Sequence, residues 1–152
     1  MKTTVKILAI FLLLVNGIGA VYGGFQLITD PTGSSMQMPL SFLRHSPFQN
    51  YLVPGIILIM VNGVFSFITL PFIFIKSKVY PWFILTQGIL LSGWIIVQII
   101  LLRMFYVPLH ATFLVIGICL VGCGLYLKRK LSIEKRIFQY KGPMQERVDK
   151  LP

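Results

Sequence analysis

Acidic side chains are almost missing from this chain: Asp30, Glu134, Glu146 and Asp149 are all it has in 152 residues. General acid–base catalysis and carboxylate metal cages therefore have very little raw material. Cysteine is scarcer still. Cys119 and Cys123 are the only two, so no disulfide braces a loop. Their spacing of one helical turn is not the closer Cys-x-x-Cys of thiol–disulfide enzymes. An i, i+4 pair in an unbroken helix is also badly placed for a relaxed bridge, and both are expected to be small core residues. No glycine-rich phosphate loop and no Ser-His-Asp layout is present, so a non-enzymatic protein without cofactor or resident metal is expected. Finally, no charged residue or histidine interrupts the four long apolar runs identified below. Proton relays, ion-coupled carriers and voltage sensors move charge at depth and need such groups there. A carrier of neutral substrates does not.

What the chain does have is hydrocarbon. At 56% hydrophobic and 12% charged residues, it has too little polar surface to cover a water-soluble globule of its size. A bilayer core of about 30 Å is crossed by roughly 20 apolar residues in a helix, and such runs lie at 7–28, 51–75, 80–102 and 111–127. None alternates as a barrel strand does, and nothing open-edged satisfies its backbone in lipid. The expected fold is an all-α integral membrane four-helix bundle over residues 1–127, followed by a basic amphipathic tail, 128–152. The first run also has the layout of a secretory signal, with Lys2 and Lys6 ahead of it and a cleavage point after Ala20. Its apolar character continues through Tyr22, Phe25 and Leu27, which favours retention as a span.

Basic residues give the orientation. Lys2 and Lys6 precede the first run, Lys76 and Lys78 lie between the second and third, and Lys128, Arg129, Lys130, Lys135, Arg136, Lys141, Arg147 and Lys150 follow the fourth. Only Arg44 and Arg103 fall on the other side. Positive-inside bias then puts both termini in the cytoplasm (N-in/C-in) and residues 30–50 outside as a structured cap. Tyr80 and Trp82 at one boundary, with Phe48, Tyr51, Phe105 and Tyr106 at the other, fit interfacial aromatic belts. The net charge of +10 is thus a matter of topology and requires no nucleic-acid partner. In the tail, Leu131, Ile133, Ile137, Phe138 and Tyr140 interleave with cations. A helix there, ended by Gly142-Pro143, is expected to lie on the anionic inner leaflet. A docking surface for a cytoplasmic partner is the alternative.

Within the cap, Asp30-Pro31-Thr32-Gly33 reads as a type I turn, and Pro39 suits the first turn of a short interfacial helix at 40–44. Ser46 and Gln49 have capping-box spacing around Pro47, which predicts a helix starting at Ser46. Pro54, unable to donate to the Asn50 carbonyl, is then expected to bend it.

Between helices in lipid, association leans on close backbone approach and shared polar side chains. Gly19 and Gly23, with Asn16 and Gln26 on the same arc, offer this in the first span. Asn62 and Ser66, Gly88 and Ser92, and Cys119 and Cys123 do so in the others. Gln87, Trp94 and Gln98 share one face of the third. Asn16 and Asn62 fall near mid-depth, where an amide facing lipid is costly, and are expected to bond one another. These polar residues, Asn16, Asn62, Gln87 and Gln98, are either packing glue or the lining of a pocket for a small molecule or lipid headgroup. A second candidate cluster, Asp30, Arg44, His45, Arg103 and His110, flanks the outer face. Its sequence spacing lacks the tight pattern of a zinc site, so interfacial solvation or an ion pair such as Asp30 with Arg103 is expected. The Val-Asn-Gly at 15–17 and 61–63 is too short to signify duplication.

Gly23-Gly24, Asp30-Pro31-Thr32-Gly33, Met38-Pro39, Ser46-Pro47-Phe48, Tyr51-Leu52-Val53-Pro54-Gly55 and Gly93-Trp94-Ile95-Ile96-Val97-Gln98, in that order, resemble a widespread group of small uncharacterised bacterial four-span membrane proteins. The resemblance covers about residues 10–125. It implies a bacterial cytoplasmic membrane location and transfers no catalytic residues. A remoter similarity is to DoxX-like membrane proteins, a group linked in places to quinone or thiol redox work; the residues such work wants are not found in this chain. The expected function is that of a non-enzymatic accessory or interaction protein, alone as a homo-oligomer or with a membrane partner. The alternative is a binder or carrier of a neutral or lipid-like small molecule.

Overall fold

The computed structural model describes residues 1–102 and 107–148, the side chains of 107, 135 and 138–148 excepted. It is all-helical, with no strand among the described residues. Four helical stretches are long and apolar enough to cross a membrane: Lys2–Thr29, Leu52–Phe74, Tyr80–Leu102 and Pro108–Glu134. The first is α1 (Lys2–Thr29). The second is built from α2 (Leu52–Leu58), a π-helical stretch (Ile59–Val64) and α3 (Phe65–Phe74). Then come α4 (Tyr80–Leu102) and α5 (Val107–Val148).

Each span touches two neighbours. α1 packs on the second span and on α5, and α4 packs on the second span and on α5, so α1 and α4 face one another across the bundle. Glycines set the closest approaches. A Cβ on Gly88 would sit 2.6 Å from the Val121 backbone nitrogen and 2.7 Å from the Gly117 carbonyl oxygen, and one on Gly124 would sit 2.7 Å from the Leu85 nitrogen. α4 and α5 therefore meet backbone to backbone, gaining the dispersion that lipid tails cannot outbid.

One end of the bundle holds the start of α1, the turn before α4 and residues 127–134. There Lys2 Nζ donates to both Glu134 oxygens, at 2.7 and 2.6 Å. Lys6 Nζ lies over the Tyr80 ring and Lys128 Nζ over the Trp82 ring, at 4.8 and 3.6 Å from the centroids. The bundle half nearest this end is filled by Ala9, Leu13, Leu70, Ile73, Ile84, Leu120 and Leu127.

The cap occupies the other end. Asp30 Oδ1 accepts from the Thr32 hydroxyl at 2.5 Å and from the Thr32 N–H at 3.1 Å, and Oδ2 accepts from the Ser35 N–H at 2.7 Å. These bonds to the charged form hold the carboxyl below its ordinary range. Gly33, at φ +77, is pressed between the Met38 carbonyl and the Tyr51 ring, where no side chain fits. Short 3₁₀ helices follow at Ser34–Met36 and Leu40–His45. Tyr51 ties the cap down: its N–H donates to the Pro31 carbonyl at 2.9 Å and its hydroxyl to that of Pro39 at 3.1 Å. Burial raises the Tyr51 phenol above its usual range. Leu27, Leu43 and Tyr51 form a small core of their own beneath it.

Two local expectations are overturned here. The helix expected to begin at Ser46 begins at Leu52 instead, close to the expected start of the second span at 51. The Ser46 hydroxyl donates back to the Leu43 carbonyl at 2.9 Å and accepts from the Phe48 N–H at 3.2 Å, closing the preceding 3₁₀ helix. Asn50 Oδ1 takes the Leu52 N–H at 3.1 Å instead. Pro54 thus falls in the first turn, where its missing N–H costs nothing, and the departure from α geometry comes later, as the π stretch at Ile59–Val64. The second correction concerns the tail. α5 runs on through Gly142-Pro143 to Val148, since a proline removes one intrahelical bond without obliging the chain to stop.

Candidate functional site

A polar cluster ties three spans together near mid-depth. Asn16 of α1 donates through Nδ2 to the Asn62 backbone carbonyl at 3.2 Å and to Ser66 Oγ at 2.9 Å. Gln87 of α4 donates through Nε2 to Asn62 Oδ1 at 3.3 Å. Asn62 and Gly63 lie in the π stretch. Gly63 lets that stretch press on α1, where a Cβ would meet Val21 Cγ2 at 2.9 Å. The expected bond between the two asparagines exists, but its acceptor is main chain: a carbonyl carries two lone pairs and can serve a side chain as well as its own helix. Asn16, Asn62, Ser66 and Gln87 are all essentially inaccessible.

Above this cluster, towards the cap, α1 and α4 part around a cavity of about 480 Å³. Asn16, Gly19, Ala20, Gly23 and Leu27 line it from α1, Leu91, Trp94, Ile95, Gln98 and Leu102 from α4, and Leu109, His110 and Phe113 from α5. Met36, Gln37, Met38 and Phe42 of the cap roof it, and Leu58 completes the wall. Gln37 holds a left-handed conformation, φ 54, uncommon for a residue with a side chain. Two wall residues bring buried polar atoms that have no hydrogen-bond partner within the chain, Asn16 Oδ1 and Trp94 Nε1. No lysine, arginine or carboxylate lines the cavity among the described residues.

The polar residues singled out from sequence therefore divide. Asn16 and Gln98 reach the cavity, with Asn16 in both cavity and cluster; Asn62 and Gln87 belong to the cluster alone. Trp94 shares the wall with Gln98, whereas Gln26 does not line it. The described residues of the outer-face cluster lie apart in their surroundings. Asp30 is engaged by its own turn, Arg44 and His45 are exposed, and Arg103 lies outside the described residues, as do Phe105 and Tyr106. His110 is the correction: it is 4% exposed and lines the cavity, where a solvated side chain was expected. α5 is already helical at Val107, which takes His110 into the span that had been expected to start at 111. Among the described residues no group of three His, Cys, Asp or Glu could hold a metal ion. Cys123 is buried, but Cys119 is exposed, so only one of the pair is a core residue.

No family model, curated protein or solved structure matches this chain. The geometry of the cavity is what speaks to function.

Proposed function

We propose that this is a bacterial cytoplasmic-membrane protein, both termini in the cytosol and its cap outside, which binds or carries a neutral amphipathic small molecule in the cavity beneath the cap. The observation that supports the reading is a cavity of about 480 Å³ with mostly apolar walls and a few polar side chains, the usual make-up of a small-molecule site. Among the described residues no lysine, arginine or carboxylate faces it, so a charged ligand would draw no countercharge from them and would carry a heavy desolvation cost. A neutral head group with a hydroxyl suits it better, because a hydroxyl both donates, to Asn16 Oδ1, and accepts, from Trp94 Nε1.

The accessory or interaction reading draws on small-residue faces, and those are largely used inside the bundle. A Cβ on Gly24 would come within 2.7 Å of the Gly55 carbonyl, and Gly88 and Gly124 are spent on α5 and α4. Among the described glycines, Gly93 and Gly122 alone face open space.

Native mass spectrometry of the full chain in mild detergent, with a medium-chain monoacylglycerol as probe, tests the binding reading. A Cβ on Gly23 meets only Leu58 Cδ2, at 3.6 Å, so Gly23→Phe can place its ring in the cavity without disturbing a helix contact. Retention by the parent chain and at least a tenfold loss in Gly23→Phe is the expected result. Equal retention by both, with both folded, would overturn the reading.

A further inference from the structure

We infer that the opposite end of the bundle holds a second, separate site, for the phosphate-bearing headgroup of an anionic lipid. A cleft of about 210 Å³ opens there between Lys78, Pro81 and Trp82 on one side and Lys128, Leu131 and Ser132 of α5 on the other. The Lys128 ammonium stands 3.6 Å from the centroid of the Trp82 ring, which fixes the cation on the cleft wall without neutralising it. Glu134, the nearest acidic residue in sequence, is taken by Lys2 at 2.6 Å, and among the described residues no carboxylate pairs with Lys78 or Lys128.

Two uncompensated ammonium groups on either side of a concavity attract an anion. Ser132 adds a hydroxyl donor, while Pro81 and Leu131 supply apolar sides. The depth is also right. Trp82, 52% exposed, lies in the first turn of α4 as an aromatic of the kind found where headgroups meet hydrocarbon. A phosphodiester can occupy the cleft with its acyl chains still in the bilayer, along the exposed apolar flank of α4 and α5. Basic pockets between membrane helices on the cytoplasmic side take anionic headgroups in this way. The site shares no residue with the cavity under the cap, so either can fail without the other.

The test uses the full chain in detergent and native mass spectrometry, with phosphatidylglycerol, phosphatidylcholine and soluble glycerol phosphate offered separately. Phosphatidylglycerol should be retained in preference to phosphatidylcholine. Lys78→Gln and Lys128→Gln should each weaken that retention about fivefold, as expected for one surface cation. Lys130→Gln, on the same helix but outside the cleft, should leave it unchanged. Equal retention of the two lipids, or an equal loss in Lys130→Gln, overturns the site. Saturation by glycerol phosphate at concentrations that displace the lipid overturns the lipid as its source and leaves a soluble phosphate in its place.

Discussion

The side-chain amide of Asn16 bonds to Asn62 through the latter's main-chain carbonyl, at 3.2 Å, and not through its side chain. The side chain of Asn62 is engaged elsewhere, by Gln87 at 3.3 Å. Two roles for one residue are thereby separable: a backbone acceptor for α1 and a side-chain acceptor for α4.

A double-mutant cycle on thermal or denaturant unfolding should read this division. Asn62→Ala with Gln87→Leu should show coupling of about 0.6–1.7 kcal/mol, the range measured for hydrogen bonds within membranes. Asn62→Ala with Asn16→Leu should show less than about 0.5 kcal/mol, the ordinary scatter of additivity, because the Asn62 carbonyl survives the substitution. Strong coupling in the second cycle would show that Asn16 reads the side chain after all.

Glycine substitutions should split by what each new methyl group meets. At Gly88 the obstacles are main-chain atoms of α5, at 2.6 and 2.7 Å, whereas at Gly122 there is nothing within 4 Å. Gly88→Ala should destabilise by about 1–3 kcal/mol through overpacking. Gly122→Ala should be neutral or stabilising by up to about 1 kcal/mol, since alanine is the better helix former. Melting temperatures in one detergent suffice; a similar loss at both positions would refute the backbone contact between α4 and α5.

The cap should loosen in acid. The folded Asp30 carboxyl titrates below its ordinary value because Thr32 and Ser35 bond its charged form. Its contribution is therefore fully present above the ordinary aspartate range, about pH 4, and is lost as pH falls through the lower folded value. Hydrogen exchange at residues 31–38, corrected for intrinsic rate, should stay flat from neutrality to about pH 4 and rise below it. Asn at position 30 keeps one acceptor oxygen in place of two. Asp30→Asn should thus exchange faster at neutral pH, with the acid dependence gone; an unchanged acid limb would assign it to another group.

The four helices long and apolar enough to cross a membrane were legible because hydrocarbon thickness imposes a run length that composition displays directly. The clustering of Lys2, the 76–78 turn and Lys128 at one end was legible from charge. Other features depend on what lies beside a residue, which a linear pattern does not carry. Ser46 had capping-box spacing, yet its hydroxyl found the Leu43 carbonyl first. His110 stood outside the hydrophobic window, yet α5 begins early enough to bury it. The Asn16 and Asn62 amides could be expected to meet, but which lone pair would be used was set by the π stretch and by the approach of Gly63 to Val21.

That π stretch also links winding to volume. A widened turn holds the equivalent of one surplus residue, so relaxing it to α geometry would rotate everything on its cap side by about 100°. Leu58, directly before Ile59, would swing off the wall it now completes. The size of the chamber is thus written into the phase of a single helix, one half of which is anchored by Ser66 to Asn16 and the other by Tyr51 beneath the cap and by the close approach of Gly55 to Gly24.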